Sequence, residues 1–151
     1  MNLLKALWAN HVLVSALVAW ALAQTLKLPI DYLINKRWNW GLLASAGGMP
    51  SSHSALVTGT THAIALHFGF DSPLFALAFA IAMVVIYDAA NVRRQAGMQA
   101  QKINVLVNEL LSGHPISEKE LREVLGHTWL EVIGGVLLGI VTAQVMWIIW
   151  N

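Results

Sequence analysis

The sequence predicts an all-α protein, a polytopic membrane helix bundle of about four spanning helices with amphipathic helices at the interface. Three observations predict it. Of the 151 residues, 57% are hydrophobic and only 11% are charged, far from the balance of a soluble domain. The apolar residues gather in four stretches, Leu7 to Leu26, Ala55 to Phe70, Pro73 to Ala90 and Trp129 to Trp150. The polar remainder falls between them with no internal repeat and no low-complexity linker, so residues 1–151 read as a single domain. A formal net charge of +1 offers nucleic acid no basic surface. Cysteine is absent, which removes disulfides, thiolate chemistry and Cys-based metal sites.

A spanning helix needs roughly 20 mostly apolar residues. The first, third and last stretches meet this. The first could also be read as a signal peptide, with Lys5, an apolar core and the Ala21-Leu22-Ala23 triplet, but its apolar run continues to Leu28. The second stretch is diluted by Thr58, Thr61, His62 and His67. It is accommodated only with its polar side toward protein or water, which makes it the expected wall of an internal site. Lys27 to Pro50 is expected to be a loop with some interfacial helix, Trp38 and Trp40 lying at headgroup level beside Lys36 and Arg37. A tight turn at Gly69, Asp71 and Pro73 joins the second and third spans. From Arg93 to Arg122 the chain is polar, yet Ile103, Leu106, Val107, Leu110 and Leu111 recur at helical spacing, predicting a surface amphipathic helix. A short helix opened by Ser117 and Glu120 leads to the last span. There, Gly135 and Gly139 form a small-xxx-small pair, read as close packing within one molecule or, as the weaker alternative, a homodimer contact.

With four spans, both long polar loops lie on one side and carry all nine Lys and Arg residues except Lys5. The positive-inside rule makes that side cytoplasmic, in a plasma or inner membrane. Three groups of chemistry-bearing residues meet there. Gly47-Gly48-Met49-Pro50-Ser51-Ser52-His53-Ser54 opens the second span, placing free backbone N–H groups and two hydroxyls at a helix N-terminus, a natural phosphate site. Tyr87-Asp88-Ala89-Ala90-Asn91-Val92-Arg93-Arg94 closes the third; guanidinium forks match phosphate oxygens, and Asp88 within an apolar run needs a cation to pair with. Gly126-His127-Thr128-Trp129-Leu130-Glu131 opens the last, and residues four apart share a helix face, so Glu131 can orient the His127 imidazole. His127, Glu131 and His53 could alternatively bind zinc. His11, His62, His67 and His114 fall outside this convergence and read as packing, interfacial or loop residues.

These strings, with Arg-Arg-Gln-Ala-Gly and Leu-Gly-His-Thr before Glu-Val, resemble the divergent branch of the type 2 phosphatidic acid phosphatase superfamily over nearly the whole chain. That superfamily includes lipid phosphatases and vanadium haloperoxidases. The resemblance implies a metal-independent lipid phosphatase without cofactor, acting on a membrane lipid such as phosphatidylglycerophosphate, phosphatidic acid or a prenyl phosphate. It matches His127 to a nucleophile that becomes a phosphohistidine and His53 to the general acid, with Glu131 in place of an aspartate. Ser51 matches the serine of the second motif, Ser52 replaces its glycine, and Lys27, with Lys36 and Arg37 as additions, stands for the cationic first motif. Arg122 precedes His127 by four intervening residues where the motif has five, so Arg93 and Arg94 are favoured as the remaining cations. A non-catalytic binder of anionic headgroups or a transporter would use the same cations without turnover.

Overall fold

The computed structural model describes residues 2–45, 47–111 and 127–151, and for 93, 94 and 108–111 the backbone only. The described residues form helices and no strand. A short α1 (Leu3–Trp8) precedes α2 (His11–Asn35); Asn10 caps α2 by accepting from the Leu13 N–H at 3.0 Å. A 3-10 turn (Trp40–Ala44) leads to α3 (Ser52–Phe68). Then come α4 (Pro73–Tyr87), a π-helical turn (Asp88–Val92), α5 (Arg93–Leu111) and α6 (Trp129–Trp150).

Among the described residues, three helical stretches are long and apolar enough to cross a membrane: His11–Asn35, Pro73–Val107 and Trp129–Trp150. The first departs from the expected Leu7 to Leu26. It starts four residues later and continues through Pro29, so Lys27 belongs to a helix and not to the loop that follows. The missing N–H at Pro29 costs one intrahelical bond. At 17 residues, about 25 Å by the helical rise, α3 is shorter and more polar than the others. It lies at the centre, packed by α2, α4 and α6.

Small residues set this packing. Ala19 and Ala23 of α2 meet Ala55 of α3, with Leu138 of α6 against them. A Cβ on Gly135 would collide with the Ser51 carbonyl oxygen, and one on Gly139 would stand 2.6 Å from the Ala55 oxygen and 2.9 Å from the Gly59 nitrogen. Lipid tails are as apolar as leucine, so close backbone approach and dispersion hold such helices together. Both glycines are therefore occupied inside the molecule, as the favoured reading of that pair expected.

These contacts also fix direction. Gly135 lies at Ser51, Gly139 at Gly59, and His62 Nε2 bonds Gln144 Oε1 at 3.1 Å, so α3 and α6 run parallel. Ala19 touches Gly59 and the His11 ring lies 5.5 Å from that of His67, so α2 is antiparallel to both. Thr61 donates to the Ala78 carbonyl at 3.2 Å across an equally antiparallel α3–α4 pair, joined by the expected turn with Gly69 closing α3 and Ser72 capping α4. One end of the bundle thus gathers the N-termini of α3 and α6, the π turn and the last third of α2.

The outer faces are apolar. Leu77, Met83 and Val84 of α4 and Leu130, Leu137 and Ile149 of α6 all stand more than half exposed, which hydrocarbon tolerates and water does not. Tyr32, Trp38 and Trp40 stack in series at centroid distances of 4.7 and 6.0 Å, an aromatic group suited to the headgroup zone. On α5, Gly97 and Asn104 turn inward while Ile103 and Leu106 remain exposed, consistent with a helix lying along the interface.

Candidate active site

Glu131 is the pivot of the convergent end. Its backbone carbonyl accepts the Ser51 N–H at 2.9 Å, fixing the start of α3 to the first turn of α6. Its side chain accepts from the Thr128 N–H at 3.0 Å, while Thr128 Oγ1 accepts from the Glu131 N–H, a reciprocal capping box that satisfies two donors at the start of α6. The same Oε2 lies 2.9 Å from His127 Nδ1. The expected pair therefore forms, but by a different route. His127 precedes the helix, and its own N–H donates to the Ala89 carbonyl at 3.1 Å, so the ring reaches Glu131 from the π turn's side rather than along a shared helix face.

The π turn supplies the other wall. Ala89 and Ala90 pack on Val132, with Ile86 and Val136 around them, so small side chains let the His127 segment approach closely. A π-helical turn displaces backbone carbonyls from the ordinary ladder, and here the Ala89 oxygen serves His127. Asp88 is half-buried at the start of this turn.

Ser51 caps α3. It is fully buried and accepts from both the Ser54 N–H at 3.3 Å and the Ser54 hydroxyl at 3.1 Å, which leaves its own proton to donate elsewhere. Ser52 is also buried. Pro50 lies one residue before the cap, not within the first turn, and packs near Gly134. His53, in the first turn of α3, is exposed.

Among the described residues, Lys27 is the cation of this cluster. Its side chain is fully buried, with its methylenes under Gly48 and its ammonium donating to the Ser45 carbonyl at 3.1 Å. Ser45 is its single hydrogen-bond partner among the described residues, and it also feels the charge of Glu131. The loop is drawn over it by Gln24, which donates to the Leu43 carbonyl at 2.6 Å. Two helix N-termini with their positive dipole ends and a buried ammonium thus face one region, an arrangement that attracts anions.

Not every candidate joins this cluster. Lys36 and Arg37 are exposed beyond the end of α2, more than 13 Å along the axis from Lys27 by the rise of about 1.5 Å per residue. Arg93 and Arg94 begin α5 directly after the π turn, and their side chains lie outside the described residues. Arg122, His114 and the Ser117–Glu120 cap lie outside them altogether. Among the described residues no group of three or more His, Asp and Glu could hold a metal ion, so the zinc alternative gains no support there. The sequence places Ser54 only on the polar side of the second span, with Thr58, Thr61 and His62 along a route for the lipid head, and gives Thr128 no role in the site. Thr128-x-x-Glu131 ahead of an apolar run is a capping-box pattern that would have revealed the role of Thr128.

The fold and this cluster define a class: an integral membrane helix bundle with a histidine–carboxylate pair beside a buried, anion-attracting helix start. The chain belongs to the divergent PAP2 family, which matches residues 8–142. It is 42% identical over 151 aligned residues, covering 93% of this chain and 96% of the relative, to the protein named "Uncharacterized membrane protein YuiD" of Bacillus subtilis (strain 168). No solved structure matches the chain.

Proposed function

We propose that this protein is a lipid phosphatase that removes phosphate from a phosphomonoester or diphosphate of a membrane lipid through a phosphohistidine on His127. The observation that carries the reading is the His127–Glu131 pair at 2.9 Å, seated where the N-termini of α3 and α6 and the Lys27 ammonium converge. An ionised carboxylate only accepts, so the hydrogen of neutral His127 resides on Nδ1 and the lone pair on Nε2. That nitrogen attacks phosphorus. The bond from phosphorus to the lipid oxygen breaks, its electron pair stays on that oxygen, and protonated His53 supplies the proton that completes the alcohol. Water then gives a proton back to His53 and attacks phosphorus, the P–N bond breaks, and inorganic phosphate leaves with both histidines restored.

Charge on the transferring phosphoryl group is met by fixed donors and dipoles: Lys27, the Ser51 hydroxyl, Ser52 and the positive N-terminal ends of α3 and α6. Arg93 and Arg94 are the cations assigned to the rim, with Asp88 holding one of them in place and Arg122, Lys36 and Arg37 in outer roles. No metal takes part in this scheme. By the distribution of Lys and Arg the site opens to the cytoplasmic leaflet, which favours phosphatidylglycerophosphate or phosphatidic acid over a carrier lipid recycled outside.

The test is phosphate release by detergent-purified protein from a panel of phospholipid and prenyl phosphates, for wild type, His127→Ala and His53→Ala. Release by wild type that disappears in both folded variants is expected. Lipid binding without release from any member, or release indifferent to His127, would replace this reading with that of a headgroup binder.

A further inference from the structure

A groove of about 320 Å³ runs between α3 and α4. Its walls are Leu56, Thr60 and Ile64 on α3 and Leu74, Ala78 and Ile81 on α4. The two threonine hydroxyls at the groove do not make it polar. Thr60 Oγ1 donates to the Leu56 carbonyl at 2.8 Å, and Thr61 Oγ1 to the Val57 and Ala78 carbonyls at 2.7 and 3.2 Å, so backbone groups satisfy them.

The position of the groove relates it to the site above. Ser52, Leu56, Thr60 and Ile64 follow one another at four-residue intervals, a single stripe of α3 headed by a buried serine of the phosphate cluster. His53, Val57 and Thr61 form the adjacent stripe in the same way. Leu56 therefore lies about 6 Å and Ile64 about 18 Å along the axis from Ser52. Antiparallel α4 brings Ile81 toward the site and Leu74 toward the opposite end. The groove starts one helical turn beneath the phosphate cluster and descends into the hydrocarbon region.

We propose that this groove holds one hydrocarbon chain of the lipid whose phosphate is bound at Ser51, Ser52 and His127. The proposal rests on the phosphatase reading, and chemistry supplies its direction. The group that departs is the lipid alcohol, and His53, which protonates it, stands at the head of the stripe that lines the groove. That stripe is the adjacent one, whose Val57 and Thr61 also line the groove, so a chain seated there leads its oxygen to His53 while phosphorus remains beside His127. Because lipid tails and leucine side chains are equally apolar, the groove gains little from removing water. Its contribution is to orientation, where a displacement of about 1 Å at the reacting centre costs as much as a hundredfold in rate.

The experiment uses the full chain with a phosphatidic acid that carries a photoreactive diazirine midway along one acyl chain. In parallel runs a phosphatidylcholine with the same label, whose phosphate is a diester and no substrate. Labelling by the phosphatidic acid probe is expected on the segments Leu56 to Ile64 and Leu74 to Ile81. It should fall roughly tenfold in Ala78→Trp, which fills the groove, with the phosphatidylcholine probe labelling these segments far less. Wild-type labelling decides the matter even should the tryptophan variant fail to fold. Equal labelling by both probes means ordinary boundary lipid, and crosslinks between two copies through α4 mean a protein partner; each overturns the proposal. Turnover is read separately: in Ala78→Trp, kcat/KM for a long-chain substrate should fall roughly tenfold and for a dihexanoyl analogue much less, and an equal fall for both overturns it. Groove labelling without phosphate release would sustain the groove as a lipid site and count against the phosphatase reading alone.

Discussion

Replacing Glu131 with glutamine separates the two tasks of this side chain. Its Oε2 receives hydrogen bonds from the Thr128 N–H at 3.0 Å and from His127 Nδ1 at 2.9 Å. The glutamine carbonyl oxygen can still accept at the cap, and loss of a cap altogether costs about 1 kcal/mol, so Glu131→Gln should unfold within a few degrees of wild type. The charge is what disappears. When Nε2 bonds phosphorus the imidazole becomes cationic, and the carboxylate that stabilised this cation is replaced by a neutral amide. A hydrogen bond to a charged partner is worth about 1.5–3 kcal/mol, which corresponds to a fall of roughly 10- to 150-fold in kcat at 1.36 kcal/mol per decade. Glu131→Ala removes cap and charge together and should lose both stability and rate. The assay pairs phosphate release under saturating lipid with thermal unfolding in the same detergent. A Glu131→Gln protein that is stable and works at the wild-type rate would refute the orienting role. A rate loss matched wholly by loss of folded protein would refute the separation of tasks.

Two further outcomes follow from the packing and the charge. Gly139→Leu places a side chain where even a Cβ would stand 2.6 Å from the Ala55 oxygen; overpacking costs about 1–3 kcal/mol or more, so a lowered unfolding temperature is expected, and an unchanged one would contradict the α3–α6 contact. Lys27→Met keeps most of the buried stem and removes the ammonium, so phosphate release should drop by roughly a hundredfold, the scale of losing one preorganised donor. Stability should change little, because a buried charge with a single hydrogen-bond partner among the described residues carries a desolvation cost that methionine avoids. Wild-type turnover by Lys27→Met would remove Lys27 from the site.

The membrane bundle was legible in the sequence because hydrophobic length and composition act locally. The last span is a capped apolar run, and its boundaries match the structure. The end of α2 was not legible. Lys27 and Pro29 look like a boundary by local propensity, yet α2 continues because Gln24 draws the loop over Lys27 and the Ser45 carbonyl receives its ammonium, contacts 18 or more residues apart. The His127–Glu131 pair was read correctly as a contact but by the wrong geometry. Spacing of four suggested a shared helix face, whereas the helix starts at Trp129 and the Ala89 carbonyl holds the His127 backbone. That carbonyl is presented by a π turn, for which Asp88-Ala89-Ala90-Asn91-Val92 bears no local pattern. The buried Ser51–Ser54 bond was likewise hidden, since serines near a proline read first as an ordinary cap.

The central claim is that phosphorus passes through His127. The direct measurement mixes wild-type protein with a lipid carrying ³²P in its terminal phosphate, quenches in base and maps the labelled peptide by mass spectrometry. The expected result is an acid-labile, base-stable label on the peptide containing His127, absent from His127→Ala and strongly reduced in His53→Ala, which lacks the acid that releases the lipid alcohol. Phosphate release without any covalent label, or the same label in His127→Ala, would contradict the account.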